Sequence, residues 1–271
     1  MKFKNIALNI AVVGMAVVFS MPAQAGYAPI NDWYLDTDGS GVNAPFKVHE
    51  YLDLVGQTYV HNTYSNGTAI GSSFTFQESG LFGIDTSDGG KLLGGNKLSP
   101  SLIGKFTGSG TGTIGGSMTF TSGQLDIFND LGAYVATFGL TRGDATLGST
   151  GVVPNDKVQL SFYATNIASG YLFDPLMQDL ANLIGITLGY AQTDANGING
   201  GKVPQPLFDL YNSEFGSNIS VFDSSTDLYL TTNGQFRLEA DIPEPAVLAL
   251  FGIGLIGLGF SRRRHNKVIN M

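Results

Sequence analysis

The chain has 271 residues and no cysteine, and its 22 aspartates and glutamates outnumber its 14 lysines and arginines. The lack of cysteine excludes a disulfide framework, a thiolate metal site and a cysteine nucleophile. Between Gly26 and Ile242 there are 8 basic against 21 acidic residues, a balance of −13. We therefore expect no binding to the phosphates of nucleic acid.

The first 25 residues have the pattern of a secretory signal peptide. Lys2 and Lys4 precede an apolar stretch over residues 6–19, and the triplet Ala23-Gln24-Ala25 follows. A positive start, a short apolar stretch and two small residues at the cleavage site are the features that signal peptidase recognises. We expect export and cleavage after Ala25, so that the mature chain begins at Gly26. The alternative is a retained N-terminal anchor or a buried helix.

Residues 26–241 are predicted to form one exported all-β domain. Short runs of alternating polar and apolar residues, rich in Phe, Thr, Val and Tyr, are typical of strands with one buried face. About ten such runs, separated by Gly, Asn, Asp and Ser, favour an antiparallel β-sandwich or jelly roll. The runs lie at 48–54, 58–64, 73–77, 117–121, 125–128, 133–138, 158–162, 186–191, 228–232 and 235–241.

One segment, residues 175–184, has the spacing of a short helix. Asp174 is suited to cap it, Pro175 fits the first helical position, and Gly185 is suited to end it. The apolar residues at helical spacing are Leu176, Met177, Leu180, Leu183 and Ile184. Because the polar face has no basic residue, we expect a helix that plugs an open end of the sandwich, in preference to a membrane- or partner-binding helix.

One acidic stretch is the candidate for calcium. Asp36, Asp38 and Ser40 supply oxygen atoms at positions one, three and five of a potential loop, and Gly41 stands at position six. Position twelve is Lys47, where a calcium loop requires a bidentate glutamate. We therefore expect an acidic turn with weak or absent calcium binding, and we assign no metal site.

Other motifs do not select any catalytic residue or cofactor. The stretch from Gly110 to Gly115 has the spacing of a dinucleotide fingerprint, but a strand-like run follows it where a helix is required, which favours a glycine-rich hairpin or strand edge. His49 and His61 lie 12 residues apart without a third ligand at a zinc spacing, and no Gly-x-Ser-x-Gly elbow occurs. The carboxylates are numerous enough for glycoside hydrolysis, yet no local pattern selects a pair.

Three features follow one another near the C-terminus. Pro243-Glu244-Pro245 comes first, then 15 apolar or glycine residues over Ala246–Phe260, then Arg262, Arg263 and Arg264. As a helix the run would be about 22 Å long, shorter than the roughly 30 Å hydrocarbon core. The arginines are nevertheless typical of a cytoplasmic flank, and their long side chains can reach the interface. We expect a transmembrane helix over 246–260 with the body outside the cytoplasm.

The segment Ile242–Lys267 resembles the PEP-CTERM sorting signal, and the resemblance leaves the rest of the chain unassigned. It implies a protein that is exported, held transiently in the inner membrane and processed by an exosortase. Exosortases are integral-membrane cysteine proteases of bacteria that make extracellular polysaccharide. On physical grounds the prolines remove backbone donors and hold the segment extended, although Pro245 also suits the first position of a helix.

Two classes of function remain open for the body. We expect a cell-surface or matrix protein without catalysis, because proteins with this signal occur in polysaccharide-rich flocs and biofilms. The alternative is an exported glycan-binding or glycan-hydrolysing domain. Hydrolysis would require two carboxylates about 5 to 10 Å apart in one cleft, and glycan binding would require exposed aromatic side chains close together. The candidates for such a cluster are Trp33, Tyr34, Tyr51 and Tyr211.

Overall fold

A computed structural model of the chain describes residues 26–40, 45–93, 101–148, 154–184, 187–197 and 202–242. By its internal contacts the chain divides into a body, Pro29–Ala240, and a second unit made of Met1–Ala28 and Asp241–Met271. The predicted signal peptide and the sorting signal from Pro243 onward lie outside the described residues.

Eight long antiparallel strands of the body form a closed barrel. Each strand pairs with the next long strand along the chain, and the last pairs with the first. Numbered in chain order together with the short strands, the barrel strands are β4 (Leu52–Tyr64), β5 (Ser73–Ile84), β8 (Leu102–Thr113), β9 (Ser117–Asn129), β10 (Tyr134–Leu147), β11 (Pro154–Ile167), β13 (Thr187–Gly197) and β14 (Asp227–Ile242).

Short strands accompany the barrel. They are β1 (Gly26–Pro29), β2 (Trp33–Leu35), β3 (Phe46–Val48), β6 (Thr86–Ser87), β7 (Lys91–Leu92) and β12 (Leu172–Phe173). Strands β12, β2 and β3 form a separate three-stranded sheet, whereas β6 and β7 extend the main sheet beside β4. Trp33 of the small sheet is fully buried and belongs to the same apolar core as the barrel interior.

The all-β, antiparallel prediction is confirmed, and the sandwich or jelly roll is wrong. Glycines that were expected to separate short strands lie inside long ones instead. Gly110 and Gly112 of β8 pair with Phe76 and Phe74 of β5. A Cβ on Gly112 would lie 2.3 Å from the Phe74 ring, and one on Gly110 would lie 2.6 Å from the Phe76 ring. Aromatic rings thus cover these glycines. The glycines therefore do not end the strand, and β8 is long enough to form part of a closed barrel.

The glycine-rich stretch after residue 110 forms a hairpin, as predicted. Residues 110–113 belong to β8, and β9 begins at Ser117 and pairs with β8. Gly115 has a φ of 71° in the turn between the two strands, a conformation that glycine adopts without strain. This local geometry has no helix N-terminus of the kind that a dinucleotide site requires.

The helix predicted over 175–184 is wrong. The Asp174 carboxylate accepts hydrogen bonds from the amides of Leu176 and Gln178, both at 2.8 Å, and Met177 has a φ of 61°. A short 3-10 helix, Leu180–Asn182, follows and is capped by the Asp179 side chain. Aspartate side chains compete with helical hydrogen bonds in this way, which explains why a turn forms despite the apolar spacing.

The α-helix of the described body is α1 (Gln205–Phe215), which packs on the outside of the barrel. Pro206 suits its first turn, and Gly216 ends it with a φ of 63°. Its buried residues form a second apolar cluster with residues of the barrel wall. The members of this cluster are Tyr59, Val203, Leu207, Phe208, Tyr211 and Tyr229.

Within the described ranges, no helix has both the length and the apolar character needed to cross a membrane. The segment predicted to do so, residues 246–260, lies outside those ranges.

Candidate functional site

The residues of the predicted sorting signal follow directly on the body. Strand β14 ends at Ile242, and its pairing with β13 reaches Ala240. Pro243 therefore comes only a few residues after the last backbone pair of the barrel wall. The side chains of Pro243, Glu244 and Pro245, of Arg262, Arg263 and Arg264, and of Ala23 and Ala25 lie outside the described residues, so their roles stay predictions.

The calcium candidate forms a compact acidic turn. The Asp38 amide donates to Asp36 Oδ1 at 3.2 Å, the Ser40 amide donates to Asp38 Oδ1 at 2.9 Å, and the Ser40 hydroxyl lies 3.4 Å from Asp36 Oδ2. Lys47 forms an ion pair with Asp32 at 3.2 Å. Among the described residues, no group of three or more histidines and carboxylates is arranged to hold a metal ion. Weak or absent calcium binding stays a prediction.

The two histidines of the body each bind a different aspartate. His49 Nδ1 lies 2.7 Å from Asp32 Oδ1 at the surface, and this hydrogen bond raises the pKa of His49. His61 Nδ1 lies 2.7 Å from Asp227 Oδ1, whose side chain is buried. Thr226 donates its hydroxyl hydrogen to the same Asp227 at 2.9 Å. The His61–Asp227 pair joins β4 to β14, and the two histidines do not share a partner.

A groove on the barrel surface, with a volume of about 250 Å³, contains one of the four predicted aromatics. The Arg237 guanidinium lies 4.5 Å from the centre of the Tyr190 ring and forms a 2.7 Å ion pair with Glu239. The lining residues are Pro29, Asn31, Glu50, Tyr51, Tyr190, Gln192, Gln235 and Arg237. Among these lining residues Glu50 is the one carboxylate, so the pair that glycoside hydrolysis requires is not present in this groove.

The other predicted aromatics do not join Tyr51 at the surface. Trp33 and Tyr211 are buried in the two apolar clusters, and Tyr34 is half-buried in the small sheet. Tyr190, which sequence reasoning did not select, lines the same groove as Tyr51. The proposed cluster of four aromatics therefore does not form.

A cavity of about 40 Å³ lies inside the barrel, with space for about three water molecules. Most of the side chains that line the cavity are apolar. The polar lining residues are Thr58, Asn62, Glu78, Thr193 and Thr232. Glu78 is half-buried. Because it belongs to the cavity lining, we assign its remaining accessible surface to the cavity inside the barrel.

Burial raises the pKa of the Glu78 carboxyl to about 8, and no hydrogen bond or charge from the described residues offsets this effect. Glu78 is therefore mostly protonated at neutral pH, and its carboxyl group can both donate and accept a hydrogen bond. Strongly perturbed pKa values cluster at functional sites, which makes Glu78 a candidate.

Buried polar atoms beside Glu78 lack hydrogen-bond partners. Within the described part of the chain, none is found for the hydroxyls of Thr58 and Thr232 or for the side-chain amide of Asn62. Burial raises the pKa of the Tyr64 hydroxyl, and the nearby Asn62 side chain partly offsets this effect. The distance and angle between the two side chains nevertheless do not meet the criteria for a hydrogen bond. Buried polar groups are usually paired, so a cluster of unpaired ones indicates a site.

The sequence contained a signal for this site that the prediction did not use. Phe74, Phe76 and Glu78 have the same parity along β5, so an acid continues the buried face of the strand. The predicted strand stopped at Gln77, one residue too early to show it. Thr58 and Asn62 likewise share the parity of Leu54 and Val60 on β4.

Comparison with known proteins assigns the end of the chain. Residues 241–264 match the PEP-CTERM protein-sorting motif, which confirms the resemblance identified from the sequence. No curated protein and no solved structure matches the chain significantly. The barrel itself therefore has no family assignment.

Proposed function

We propose that this chain is an exosortase substrate that carries its barrel to the cell surface or extracellular matrix and acts there without catalysis. The match of residues 241–264 to the PEP-CTERM motif is the observation that carries this proposal. The signal-peptide pattern that ends at Ala25 supports it, because an exosortase acts on exported proteins.

The parts of the sorting signal have separate physical roles. Pro243-Glu244-Pro245 is the segment that the exosortase recognises. Ala246–Phe260 holds the chain in the inner membrane, and Arg262–Arg264 sets its orientation. Signal peptidase and the export machinery act first and the exosortase acts later, so the membrane-held form is a transient precursor.

The barrel is suited to a role outside the cell. A closed sheet has no free edge along its eight long strands, and free edges promote aggregation. The acidic balance of the body keeps copies of the protein apart in solution, and the lack of cysteine makes the fold independent of redox conditions. A matrix of extracellular polysaccharide is the proposed destination.

A glycan-binding role is the second candidate, and the surface groove favours it. Tyr51 and Tyr190 offer aromatic rings, and Gln192, Gln235 and Arg237 offer polar groups in the same groove. This combination of aromatic and hydrogen-bonding side chains is suited to a sugar ring. Substituting Tyr190 with alanine should then reduce binding of the barrel to the host's polysaccharide, whereas Tyr27→Ala, at an exposed tyrosine outside the groove lining, should not.

The sorting function is tested by replacing Pro243, Glu244 and Pro245 with alanine in the native host. We expect export to continue, with a mature N-terminus at Gly26, and processing to stop, so that the full-length tail accumulates in the inner membrane. The control for this variant replaces Arg262–Arg264 with neutral residues. This second change should disturb retention in the membrane. Normal release of the alanine variant would contradict the proposal.

A further inference from the structure

The cavity inside the barrel has polar groups on one side. Glu78 of β5 pairs directly with Val60 of β4, so Thr58 and Asn62 are its diagonal neighbours on the same face. Thr58 pairs with Leu230 of β14, and Thr232 is the next residue of β14 on that face. The polar groups therefore lie on three adjacent strands around Glu78, with Val60 and Leu230 of the lining between them.

The opposite side of the cavity is apolar. Strands β9 and β11 contribute Met118, Phe120, Leu160 and Phe162 to the lining. These side chains offer no hydrogen-bonding group apart from the weakly accepting sulfur of Met118. Methionine also adapts its shape readily, so this wall can accommodate ligands of slightly different size.

The neighbouring strand leaves the Glu78 carboxyl facing the cavity. Glu78 pairs with Gly108 of β8, which has no side chain to contact it. A Cβ on Gly108 would lie 2.8 Å from the Phe106 ring and 3.1 Å from the Phe120 ring. Aromatic rings thus cover Gly108, so among the described residues β8 offers Glu78 no side-chain partner at this register position.

We propose that this cavity binds a small, uncharged molecule that is apolar along most of its length and has one hydrogen-bonding group at its end. The polar end lies against Glu78 and its diagonal neighbour Thr58, and the apolar part lies against the β9 and β11 wall. The hydrogen-bonding group of the ligand pairs with the Glu78 carboxyl, for which the described residues offer no offsetting hydrogen bond. This inference is independent of how the protein is sorted.

The charge of the lining selects a neutral ligand. Glu78 is the one titratable residue among the described lining residues, and burial raises its pKa so that it is mostly protonated at pH 7. An anionic ligand would find no cation in the cavity, and a cationic ligand would have to ionise a buried acid. A hydroxyl or carbonyl group pairs with the neutral carboxyl without either cost.

Size limits the ligand to a short molecule. A cavity of about 40 Å³ holds about three waters as it stands, so a chain of roughly six carbons already requires lining side chains to move. We therefore choose straight-chain alkanols, from 1-butanol to 1-decanol, as probes. Affinity should rise with chain length, reach an optimum and then fall.

Methionine methyl groups provide a direct measurement. Among the residues described for the body, Met118 lines the cavity and Met177 is 47 % exposed on an outer loop. The full-length chain, labelled with 13C-methyl methionine and kept soluble by an amphipathic polymer, is titrated with 1-hexanol. Met118→Leu and Met177→Leu identify the two signals. We expect a saturable shift of the Met118 signal and none of the Met177 signal.

Two comparisons test the proposal: one asks whether hexanol binds in this cavity, and the other asks whether the cavity prefers an uncharged ligand. Ala191→Leu adds bulk to the lining and should weaken hexanol binding at least tenfold, whereas Glu50→Gln, in the surface groove, should not change it. If the Ala191 variant does not fold, the unsubstituted chain still decides, because 1-hexanol should bind at least tenfold more tightly than hexylammonium or hexanoate. Tighter binding of hexylammonium, no saturable Met118 shift, or equal shifts of both methyls would overturn the proposal.

Discussion

Strand β5 places polar side chains on both faces of the barrel wall. On the outer face, under α1, the Tyr211 hydroxyl donates to Gln77 Oε1 at 2.7 Å and the Ser79 hydroxyl donates to the Leu207 carbonyl at 3.1 Å. On the inner face, no described residue offsets the burial of Glu78. The outer polar groups fasten a helix to the barrel, whereas the inner ones are left available for a ligand.

The largest expected effect comes from removing the helix contact on the outer face. Leu207 is 1 % exposed and packs with Tyr59 and Tyr229. Leu207→Ala should lower the free energy of unfolding by about 2–5 kcal/mol. Leu176→Ala, at a side chain that is 77 % exposed, is the control and should change it by less than about 0.5 kcal/mol. Equal effects in urea unfolding would show that α1 is not docked as described.

The next effect concerns the inner face and its pH dependence. The pKa of Glu78 is raised to about 8 in the folded chain, so between about pH 4.5 and pH 8 the folded state retains a proton that the unfolded state has lost. Stability should therefore fall as pH rises through this window, by up to about 1.4 kcal/mol per pH unit from this group. Glu78→Gln should remove that slope, as measured by urea unfolding at several pH values.

A change in the pH slope would not by itself identify Glu78, because other carboxylates also titrate. The difference between the unsubstituted chain and Glu78→Gln isolates its contribution. A Glu78→Gln variant with the original slope would mean that Glu78 is solvated or paired, and the contrast between the two faces would fail.

The smallest effect compares single hydroxyl groups on the two faces. Tyr211→Phe removes a hydrogen bond to Gln77 and should lower the free energy of unfolding by about 1 kcal/mol. Thr58→Val removes a hydroxyl that has no partner in the described body, and it should leave stability unchanged or increase it by up to about 1 kcal/mol. If Thr58→Val is as destabilising as Tyr211→Phe in thermal unfolding, Thr58 has a partner.

The sorting signal could be predicted from the sequence because its parts are local and in fixed order. Pro243, Glu244 and Pro245, the apolar run and the arginines are all recognisable without knowledge of the fold. The closure of the barrel is different, because it depends on pairing between β4 and β14, for example Val60 with Leu228. Strand alternation alone gives no information about which distant strands pair.

Two misinterpretations had physical causes in particular residues. The hairpin after residue 110 forms as predicted, but glycines were expected to separate short strands, whereas Gly110 and Gly112 lie inside the long strand β8 and allow Phe76 and Phe74 to lie across it. The helix was expected at 175–184, where Asp174 binds the backbone as a turn, and it forms at Gln205–Phe215, where Tyr59 and Tyr229 of the barrel wall offer an apolar surface. Tertiary contacts account for the long strand β8 and for the position of α1, whereas local hydrogen bonds of Asp174 account for the turn at 175–184.

The most direct test of the proposed function is the intact mass of the surface or released protein from its native host, with and without the exosortase. With the enzyme, we expect a chain that begins at Gly26 and has lost the apolar run Ala246–Phe260 together with Arg262–Arg264. Without the enzyme, we expect those residues to be retained and the protein to remain in the inner-membrane fraction. A surface form that retains the tail in both hosts would contradict exosortase processing and show that the segment is a permanent anchor.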